Sequence, residues 1–261
     1  MMHRFIRLAC FLALGFDLPR VQLAHAAEPP VRVLIFSGQN NHQWRETTPK
    51  IQAILEASGK CVVEVTEHPE TCDAAVFAKH DVLLSNWNTF GSPTVTNWPV
   101  ATRTAFLEFV RKGKGFVSLH GGSSSFYDWP EYQELVGGWW QLGQTGHGPK
   151  HEFHVQPTKS DHPITRGLTN VVTTDELWHR PGLRANIQVL ATAFSASEKG
   201  GSGAEEPVAF VNRYGAGRIF NLLLGHDAKA MDAPGFQILL QRGVEWAAKG
   251  AVTQTIPAPI H

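Results

Sequence analysis

Three histidines in this sequence come directly after segments that have the pattern of β-strands. They are His42, His120 and His226, in the stretches GQNNHQW (38–44), GFVSLHGG (115–122) and GHD (225–227). Neutral imidazole binds divalent metals such as zinc, and it titrates near neutral pH. Three imidazoles that meet in one crevice can therefore hold a metal ion or transfer protons.

An alternation of strands and helices positions these residues. Short apolar, β-branched runs predict strands over 31–36, 61–66, 81–87 and 115–120, and apolar residues at helical spacing predict helices over 50–57 and 101–111. Such an alternation is typical of a doubly wound parallel sheet with helices on both faces. Ligands of these sheets bind at the carboxyl ends of the strands, which is where the three histidines lie.

The second half of the chain departs from this regular alternation. Residues 123–148 are rich in glycine, tryptophan and glutamine, and we interpret them as an insertion that borders the site. Strands are predicted over 151–156 and 187–194, and Gly215-Ala216-Gly217 joins two further strands into an antiparallel hairpin. A helix over 236–248 closes the fold. The predicted class is thus α/β and flavodoxin-like, with a mostly parallel sheet and an antiparallel hairpin.

The first 26 residues have the features of an export signal. Arg4 and Arg7 precede an apolar run over 8–16, and Ala24-His25-Ala26 offers small residues at cleavage spacing. The run has about half of the ~20 residues that a membrane-spanning helix needs. We therefore expect cleavage after Ala26, no membrane anchor afterwards, and a periplasmic or secreted protein. Residues 27–261 are expected to form one domain with its core at about 31–249.

Charge and cysteine content bear on the possible partners. Lysines plus arginines equal aspartates plus glutamates at 23 each, and no basic block is present to bind phosphate backbones. Nucleic acid is therefore not an expected partner, and no nucleotide cofactor is predicted. In an exported protein Cys61 and Cys72 can form a disulfide or remain unrelated thiols. The sequence leaves that choice open, and it leaves the oligomeric state open too.

His120 also occupies the place of a catalytic nucleophile. A strand that runs into one residue followed by Gly121-Gly122 has the build of a nucleophile elbow. In the class I glutamine amidotransferase architecture this residue is a cysteine, and a histidine followed closely by a glutamate after a late strand completes the triad. Here Gly225-His226-Asp227 takes the place of that late histidine. Imidazole cannot replace the thiol in thioester chemistry, so we expect a scaffold of this type without glutaminase activity.

Five stretches in order resemble the ThuA family of trehalose-utilisation-like proteins, which have a glutamine amidotransferase-like fold. They cover nearly the whole chain after the leader and read GQNNHQW (38–44), GKGFVSLHGG (113–122), DHPITRGL (161–168), DELWHR (175–180) and GAGRIFNLLLGHD (215–227). The resemblance implies that fold and a role in sugar metabolism, on trehalose-like or oxidised (3-keto) glycosides. It also implies a polar centre formed by His42, His120, Glu176, His226 and Asp227.

Glu176 and His147 each have alternative roles. Glu176 can ligate a metal or act as a general base, or it can close a helix cap begun by one of the two preceding residues. His147 lies between two glycines at the end of the insertion and can face the site. His151 and His154 alternate across a predicted strand, so they do not join His147 as a ligand trio.

Residues beside the histidines are candidates for binding a sugar. Tryptophan rings stack on the apolar face of a pyranose, and Trp44 and Trp87 neighbour polar strand ends. Asn86 and Gly121 lie next to these positions and, with His147, complete the predicted substrate site. Ordinary packing beneath long loops is the alternative for every tryptophan considered. These are Trp44, Trp87, Trp129, Trp139, Trp140 and Trp178.

The leading hypothesis is an exported enzyme that acts on a small sugar or an oxidised glycoside. His42, His120 and His226 would bind a divalent metal, or would work with Glu176 and Asp227 as an acid and base set. The reaction would be proton abstraction beside a carbonyl or hydrolysis by an activated water, as in a lyase or a hydrolase. The alternative is a carbohydrate-binding module without turnover, in which the same histidines bind hydroxyl groups.

Overall fold

Strands and helices alternate along the part of the chain that the structure, a computed structural model, describes: residues 28–90 and 98–256. The predicted signal peptide, residues 1–26, lies outside these ranges. The α-helices are α1 (Trp44–Ala57), α2 (Ala74–Ala78), α3 (Val100–Arg111), α4 (Pro130–Val136) and α5 (Pro234–Lys249). The strands are β1 (Val31–Phe36), β2 (Cys61–Thr66), β3 (Val82–Ser85), β4 (Gly115–Leu119), β5 (Gly138–Trp139), β6 (Gly146–His147), β7 (His151–Pro157), β8 (Val171–Asp175), β9 (Trp178–His179), β10 (Gly182–Leu183), β11 (Gln188–Ser195), β12 (Ala204–Tyr214) and β13 (Gly217–Leu222). None of the described helices is long and apolar enough to cross a membrane.

Nine of these strands form one sheet, in the order β2-β1-β3-β4-β13-β12-β11-β7-β8. The first five run parallel to one another, and the remaining neighbours pair antiparallel. The predicted α/β class is confirmed, and β12 with β13 is the predicted hairpin. The antiparallel part extends beyond that hairpin, because β11, β7 and β8 continue the sheet.

The order of the strands reverses at β1, which lies between β2 and β3. At such a point in a doubly wound sheet the loops leave in opposite directions, and a crevice opens at the carboxyl ends of the strands. The loops after β1, β3, β4 and β13 all emerge at this edge, since these strands are parallel. The residues predicted to form the site therefore share one edge of the sheet.

Two apolar layers cover the parallel half of the sheet. Val33 and Ile35 of β1 pack in one cluster with α1 and α5, and Leu34 and Phe36 pack in the other with α3 and α4. Successive side chains of a strand point to opposite faces, so a strand buried on both faces has a continuous apolar sequence. That property is why the parallel strands were evident from the sequence.

Helix α1 begins at Trp44, six residues before the predicted start at Lys50. The carbonyl oxygen of Gln43 accepts hydrogen bonds from the N–H groups of Glu46 at 2.9 Å and Thr47 at 3.0 Å, so a helical turn has formed ahead of Pro49. Pro49 therefore lies inside the helix, where it removes one backbone hydrogen bond, and does not mark the start of the helix.

Helices α2 and α4 and strand β8 were not predicted. They are short, with 5, 7 and 5 residues respectively. Elements of this length contain too few periods of the apolar pattern to separate helix from strand or loop. The stretch interpreted as an insertion, 123–148, carries α4 and the short strands β5 and β6.

Cys61 and Cys72 are buried, free thiols. Cys61 packs in the layer that contains α1 and α5, and Cys72 packs in the layer that contains α3. The two thiols are therefore on opposite faces of the sheet, and a disulfide cannot bridge that separation without moving the backbone. The choice that the sequence left open is decided in favour of unpaired cysteines.

Candidate functional site

Four side chains converge at the carboxyl edge of the sheet. His42, His120 and His226 follow β1, β4 and β13, and Glu176 follows β8. The ligand atoms that these four residues offer all lie within 4.8 Å of one another. The ring of His42 has its centroid 4.8 Å from the centroids of both His120 and His226. We call this set of four residues the polar centre.

His120 stands on a sharp turn at the end of β4. Its φ of 41° is in the left-handed region, and the chain continues into a short 3-10 helix, His120–Ser123. Gly122 permits the turn, because a Cβ atom there would lie 2.6 Å from the carbonyl oxygen of Ser85. The Nδ1 atom of His120 donates to the carbonyl oxygen of Leu223 at 2.8 Å. Its buried Nε2 atom has no hydrogen-bond partner, so the lone pair of that nitrogen is available to a ligand.

An asparagine holds His42 in a comparable way. The backbone N–H and the Nδ1 atom of His42 both donate to Oδ1 of Asn40, at 2.9 Å and 2.8 Å. Asn88, in the loop after β3, donates through Nδ2 to Oδ1 of Asn40 at 2.8 Å and to Oδ1 of Asn41 at 2.7 Å. The loops after β1 and β3 are thus tied together, and the Nε2 atom of His42 is left as the free ring nitrogen.

Asp175 anchors the loop that carries His226. Its fully buried carboxylate accepts backbone hydrogen bonds from Gly225 at 2.6 Å, His226 at 3.1 Å and Glu176 at 2.8 Å. Strand β8 ends at Asp175 and β9 begins at Trp178, so the helix cap considered as an alternative role for Glu176 is wrong. The positioning role of Asp175 was missed, although two consecutive acidic residues after a β-branched run are a visible signal of a strand end that carries carboxylates.

Glu176 is surrounded by imidazoles and an indole. Its Oε2 atom lies 3.0 Å from Nδ1 of His226 and 3.6 Å from Nδ1 of His147. Its Oε1 atom lies 3.7 Å from Nε2 of His120 and accepts a hydrogen bond from Nε1 of Trp178 at 3.0 Å. The carboxylate is buried, yet positive or potentially positive groups lie on several sides of it.

The surroundings of each group set its charge. Burial, together with the neighbouring rings of His120 and His226, lowers the pKa of His42 to about 3. Burial also lowers the pKa of His120. Burial opposes ionisation of Glu176, but the nearby His226 and His120 lower the pKa of this carboxyl to about 2. The Glu176 carboxylate raises the pKa of His226. At neutral pH the polar centre thus holds two neutral imidazoles and an ionised carboxylate.

These residues fit a divalent metal. Neutral imidazole nitrogens and a carboxylate oxygen are the donors that zinc accepts, and the ligand atoms of a tetrahedral zinc site are ~3.3 Å apart. The distances from Glu176 to His226 Nδ1, 3.0 Å, and to His120 Nε2, 3.7 Å, bracket that value. His120 Nε2 has no partner, and His226 Nδ1 has none in hydrogen-bond geometry although it lies 3.0 Å from Glu176. Buried nitrogens without partners that aim at one point are the arrangement expected of ligands.

A cavity of about 270 Å³ adjoins the polar centre. Aromatic and polar side chains share its wall, namely Asn41, His42, Phe90, Ser124, Trp140, His147, Glu176, Trp178 and His226. A larger groove of about 800 Å³ runs along residues 156–170, but it is open to solvent and none of the four converging groups lines it. The smaller cavity is therefore the candidate substrate pocket.

Two predicted tryptophans do not line this pocket. Trp87 is only 3% exposed and stacks on Phe126, with ring centroids 5.1 Å apart, inside the α3 layer. Trp87 therefore packs in the core and is not among the residues that line the pocket, in contrast to its predicted position. Trp44 lies in the first turn of α1 and is not among the residues that line the pocket. The guanidinium group of Arg45 stacks over its ring, 4.0 Å from the ring centroid.

Asn86 and Gly121 support the site from behind. Asn86 is buried and donates to the hydroxyl groups of Thr47 and Thr48, so it fastens the start of α1 to the end of β3 and does not reach the pocket. Gly121 allows Asn88 and His42 to approach, since a Cβ atom at this position would lie 2.6 Å from Nδ2 of Asn88 and 3.2 Å from the His42 ring. A side chain at position 121 would therefore clash first with Asn88 and crowd the imidazole.

His147 lines the pocket, as the sequence suggested, with its side chain 39% exposed. Asp227 lies beside the polar centre, outside the four-residue set, where it accepts from the backbone N–H of Ala230 at 2.8 Å and pairs with Lys150. Trp140 and Trp178 line the pocket in place of Trp44 and Trp87. Trp178 lies within DELWHR and Trp140 lies seven residues before His147, which could have marked both as candidates for the site. Proximity in sequence does not show, however, which ring faces the pocket.

Fold and site together define the class of this protein: an α/β protein on a glutamine amidotransferase-like scaffold, with a histidine at the elbow and a second histidine after the late strand. The ThuA family model, described as trehalose utilisation, matches residues 32–247. The chain belongs to the ThuA family, as its five sequence stretches predicted.

Solved structures of similar proteins agree with this assignment. A ThuA-like protein from Parabacteroides merdae is 33% identical, with a TM-score of 0.78 over 87% of this chain and 93% of that chain. A ThuA-like protein from Bacteroides uniformis is 18% identical, with a TM-score of 0.66 over 88% and 98% of the two chains. A β-galactosidase from Rahnella sp. R3 is 16% identical, with a TM-score of 0.55 over 84% of this chain and 31% of that chain, which is a likeness of fold alone. A search of curated proteins found no match.

Proposed function

We propose that this protein is an exported, divalent-metal-dependent enzyme that acts on a sugar or an oxidised glycoside. The observation that carries the proposal is the convergence of three imidazoles and one carboxylate within 4.8 Å. Membership of a family described as trehalose utilisation supports a sugar as the substrate. The features of residues 1–26 support export to the periplasm or secretion.

Each residue of the polar centre has a role in this proposal. His42, His120 and His226 hold the metal, and Leu223 and Asn40 fix the rings of His120 and His42 through their Nδ1 atoms. A bound divalent metal lowers the pKa of water or polarises a carbonyl oxygen. Glu176 either completes the ligand set or accepts a proton. Both roles need the ionised carboxylate, which is the form that its lowered pKa maintains at neutral pH.

His147 borders the polar centre from the solvent side. Its Nδ1 atom donates to the carbonyl oxygen of Gly148 at 2.8 Å and lies 3.6 Å from Glu176, and its side chain is partly exposed in the pocket. The Nε2 atom of the neutral ring is therefore the nitrogen that can accept a proton or a hydroxyl group of the substrate. This role suits both reaction classes under consideration, proton abstraction beside a carbonyl in a lyase and activation of water in a hydrolase.

Elemental analysis of the purified protein tests the metal centre. We expect near-stoichiometric divalent metal in the wild type after reconstitution with zinc, and loss of that metal in His120→Ala and His226→Ala. His68→Ala, at a side chain that is 76% exposed and outside the polar centre, is the matched control and should keep the metal. A wild type that binds no divalent metal under these conditions would overturn the proposal.

Turnover separates the enzyme from a carbohydrate-binding module. In the enzyme, His120→Ala should abolish product formation from a 3-keto glycoside while the folded protein still binds the sugar weakly. If wild-type protein binds the sugar but yields no product with any divalent metal, the histidines act only as hydroxyl ligands and the non-catalytic alternative holds.

A further inference from the structure

An aromatic wall stands beside the polar centre. The ring centroid of Trp140 is 5.6 Å from that of Phe90 and 5.0 Å from that of Trp178, and Trp178 in turn lies 5.0 Å from His120. Trp178 is only 2% exposed, and its indole N–H donates a hydrogen bond to Glu176. The accessible part of the wall is therefore made by Trp140, which is partly buried, and Phe90, which is 38% exposed.

The size of the cavity limits what can reach this wall. Its volume of about 270 Å³ falls below the ~300–1,000 Å³ of pockets that enclose drug-sized ligands. A single pyranose ring suits such a space, and a second ring has to remain outside it. Phe90 is one of the exposed lining side chains, with Asn41 and His147, that can meet a group protruding into solvent.

The charge of the lining limits the substrate further. None of the lining residues in the described part of the chain is a lysine or an arginine, the side chains that bind phosphate and carboxylate groups in paired hydrogen bonds. The nearby Lys150 is paired with Asp227. The ionised Glu176 in the lining repels anionic groups, and the neutral side chains of Asn41 and Ser124 suit hydroxyl groups.

On the basis of the proposed sugar enzyme, we infer that the pocket takes one uncharged pyranose ring at a time, with the apolar face of the ring against Trp140, and leaves the substituent of that ring outside. The site consequently selects the terminal ring of a glycoside and is tolerant of what is attached to it. Phosphorylated and acidic sugars are poor ligands.

Equilibrium binding to the zinc-loaded protein, followed by tryptophan fluorescence and calorimetry, tests this inference. The probes are methyl α-glucoside, trehalose, the 3-keto form of each, and glucose 6-phosphate. The Kd values of methyl α-glucoside and trehalose should differ by less than about threefold, and so should those of their two 3-keto forms. Glucose 6-phosphate should bind at least about tenfold more weakly than methyl α-glucoside. Trp140→Ala should lose about tenfold in affinity for the best probe, and Trp140→Phe should recover part of it.

Trp44→Ala is the matched control, because Trp44 lies outside the pocket, and it should bind as the wild type does. A two-ring probe that binds more than about tenfold tighter than its one-ring partner overturns the inference, as does full affinity in Trp140→Ala. Metal content measured on the same samples keeps the two proposals apart. Stoichiometric zinc without the expected binding pattern contradicts the one-ring pocket alone, and absent zinc contradicts the metal enzyme.

Discussion

The Nδ1 atom of His42 lies 2.8 Å from the Oδ1 atom of Asn40, an oxygen that also accepts a hydrogen bond from Asn88 at 2.8 Å. Asn88 is 1% exposed, whereas Asn40 and His42 are partly buried, so one side of this junction is shielded from water. A carboxamide oxygen can only accept, and it therefore fixes which ring nitrogen of His42 carries the proton. The orientation of one proposed ligand is thus determined by two loops that leave different strands.

Asn40→Ala should weaken metal binding without removing a ligand. The variant loses the acceptor for both the backbone and the ring of His42, and the loss of such a supporting group typically costs about 10- to 100-fold in metal affinity. Competition with a chromophoric chelator measures the change in Kd. Asn40→Asp retains the acceptor oxygen and should bind metal more tightly than Asn40→Ala. Equal Kd values for Asn40→Ala and wild type would show that Asn40 does not position His42.

Asp175→Ala should destabilise the fold and loosen the loop that carries His226. It leaves the N–H groups of Gly225, His226 and Glu176 without their acceptor, and a buried unsatisfied donor costs about 1–3 kcal/mol. We expect the free energy of unfolding to fall by at least that amount in urea titrations. Asp161→Ala removes an exposed carboxylate that pairs with Arg166 and should leave the stability nearly unchanged. Similar losses in both variants would argue against an anchoring role for Asp175.

Glycine should be tolerated better than alanine in place of His120. The φ of 41° at this position is in the left-handed region, which costs a residue with a Cβ atom roughly 1–2 kcal/mol relative to glycine. Both variants lose the imidazole, so both should lose metal, but His120→Gly should have a free energy of unfolding about 1 kcal/mol above that of His120→Ala. Thermal and urea unfolding of the two metal-free proteins measure the difference. The opposite order would mean that the elbow relaxes once the ring is removed.

Asp81 should contribute stability at neutral pH that disappears in acid. Burial opposes its ionisation, but Arg32 and Lys114 hold the pKa of Asp81 below its usual range. A carboxyl whose folded-state pKa is depressed stabilises the fold above its unfolded-state pKa of about 3.9, and the contribution is lost as the pH falls towards the folded-state pKa. Because both basic partners are partly exposed, we expect Asp81→Asn to cost only about 0.5–1 kcal/mol at pH 7.

The urea unfolding of Asp81→Asn and wild type should be compared at pH 7 and at pH 3. The difference in unfolding free energy should shrink at pH 3, which lies below the unfolded-state pKa of about 3.9, because protonation of Asp81 in the unfolded chain then favours unfolding of the wild type. A difference that grows in acid would contradict the sign of the pKa shift.

Much of the site could be predicted from the order of residues alone. His42, His120 and His226 follow strands that are predominantly apolar, and parallel strands in a doubly wound sheet place their carboxyl ends at one edge. A local pattern and one rule of topology were therefore sufficient to bring these histidines together. Glu176 was indicated only by the family resemblance, because it follows the short edge strand β8, which was not predicted.

The sequence by itself determined the strand pattern of the parallel half and the replacement of the elbow cysteine by His120, since both are properties of contiguous residues. Only the tertiary structure decided which aromatic rings face the pocket and which carboxylate anchors the His226 loop. Trp87 turns into the core while Trp140 and Trp178 line the cavity, and Asp175 meets Gly225 across 50 positions of the chain. The physical reason is that packing and buried hydrogen bonds are satisfied between elements distant in sequence, so no local pattern records which partner each side chain finds.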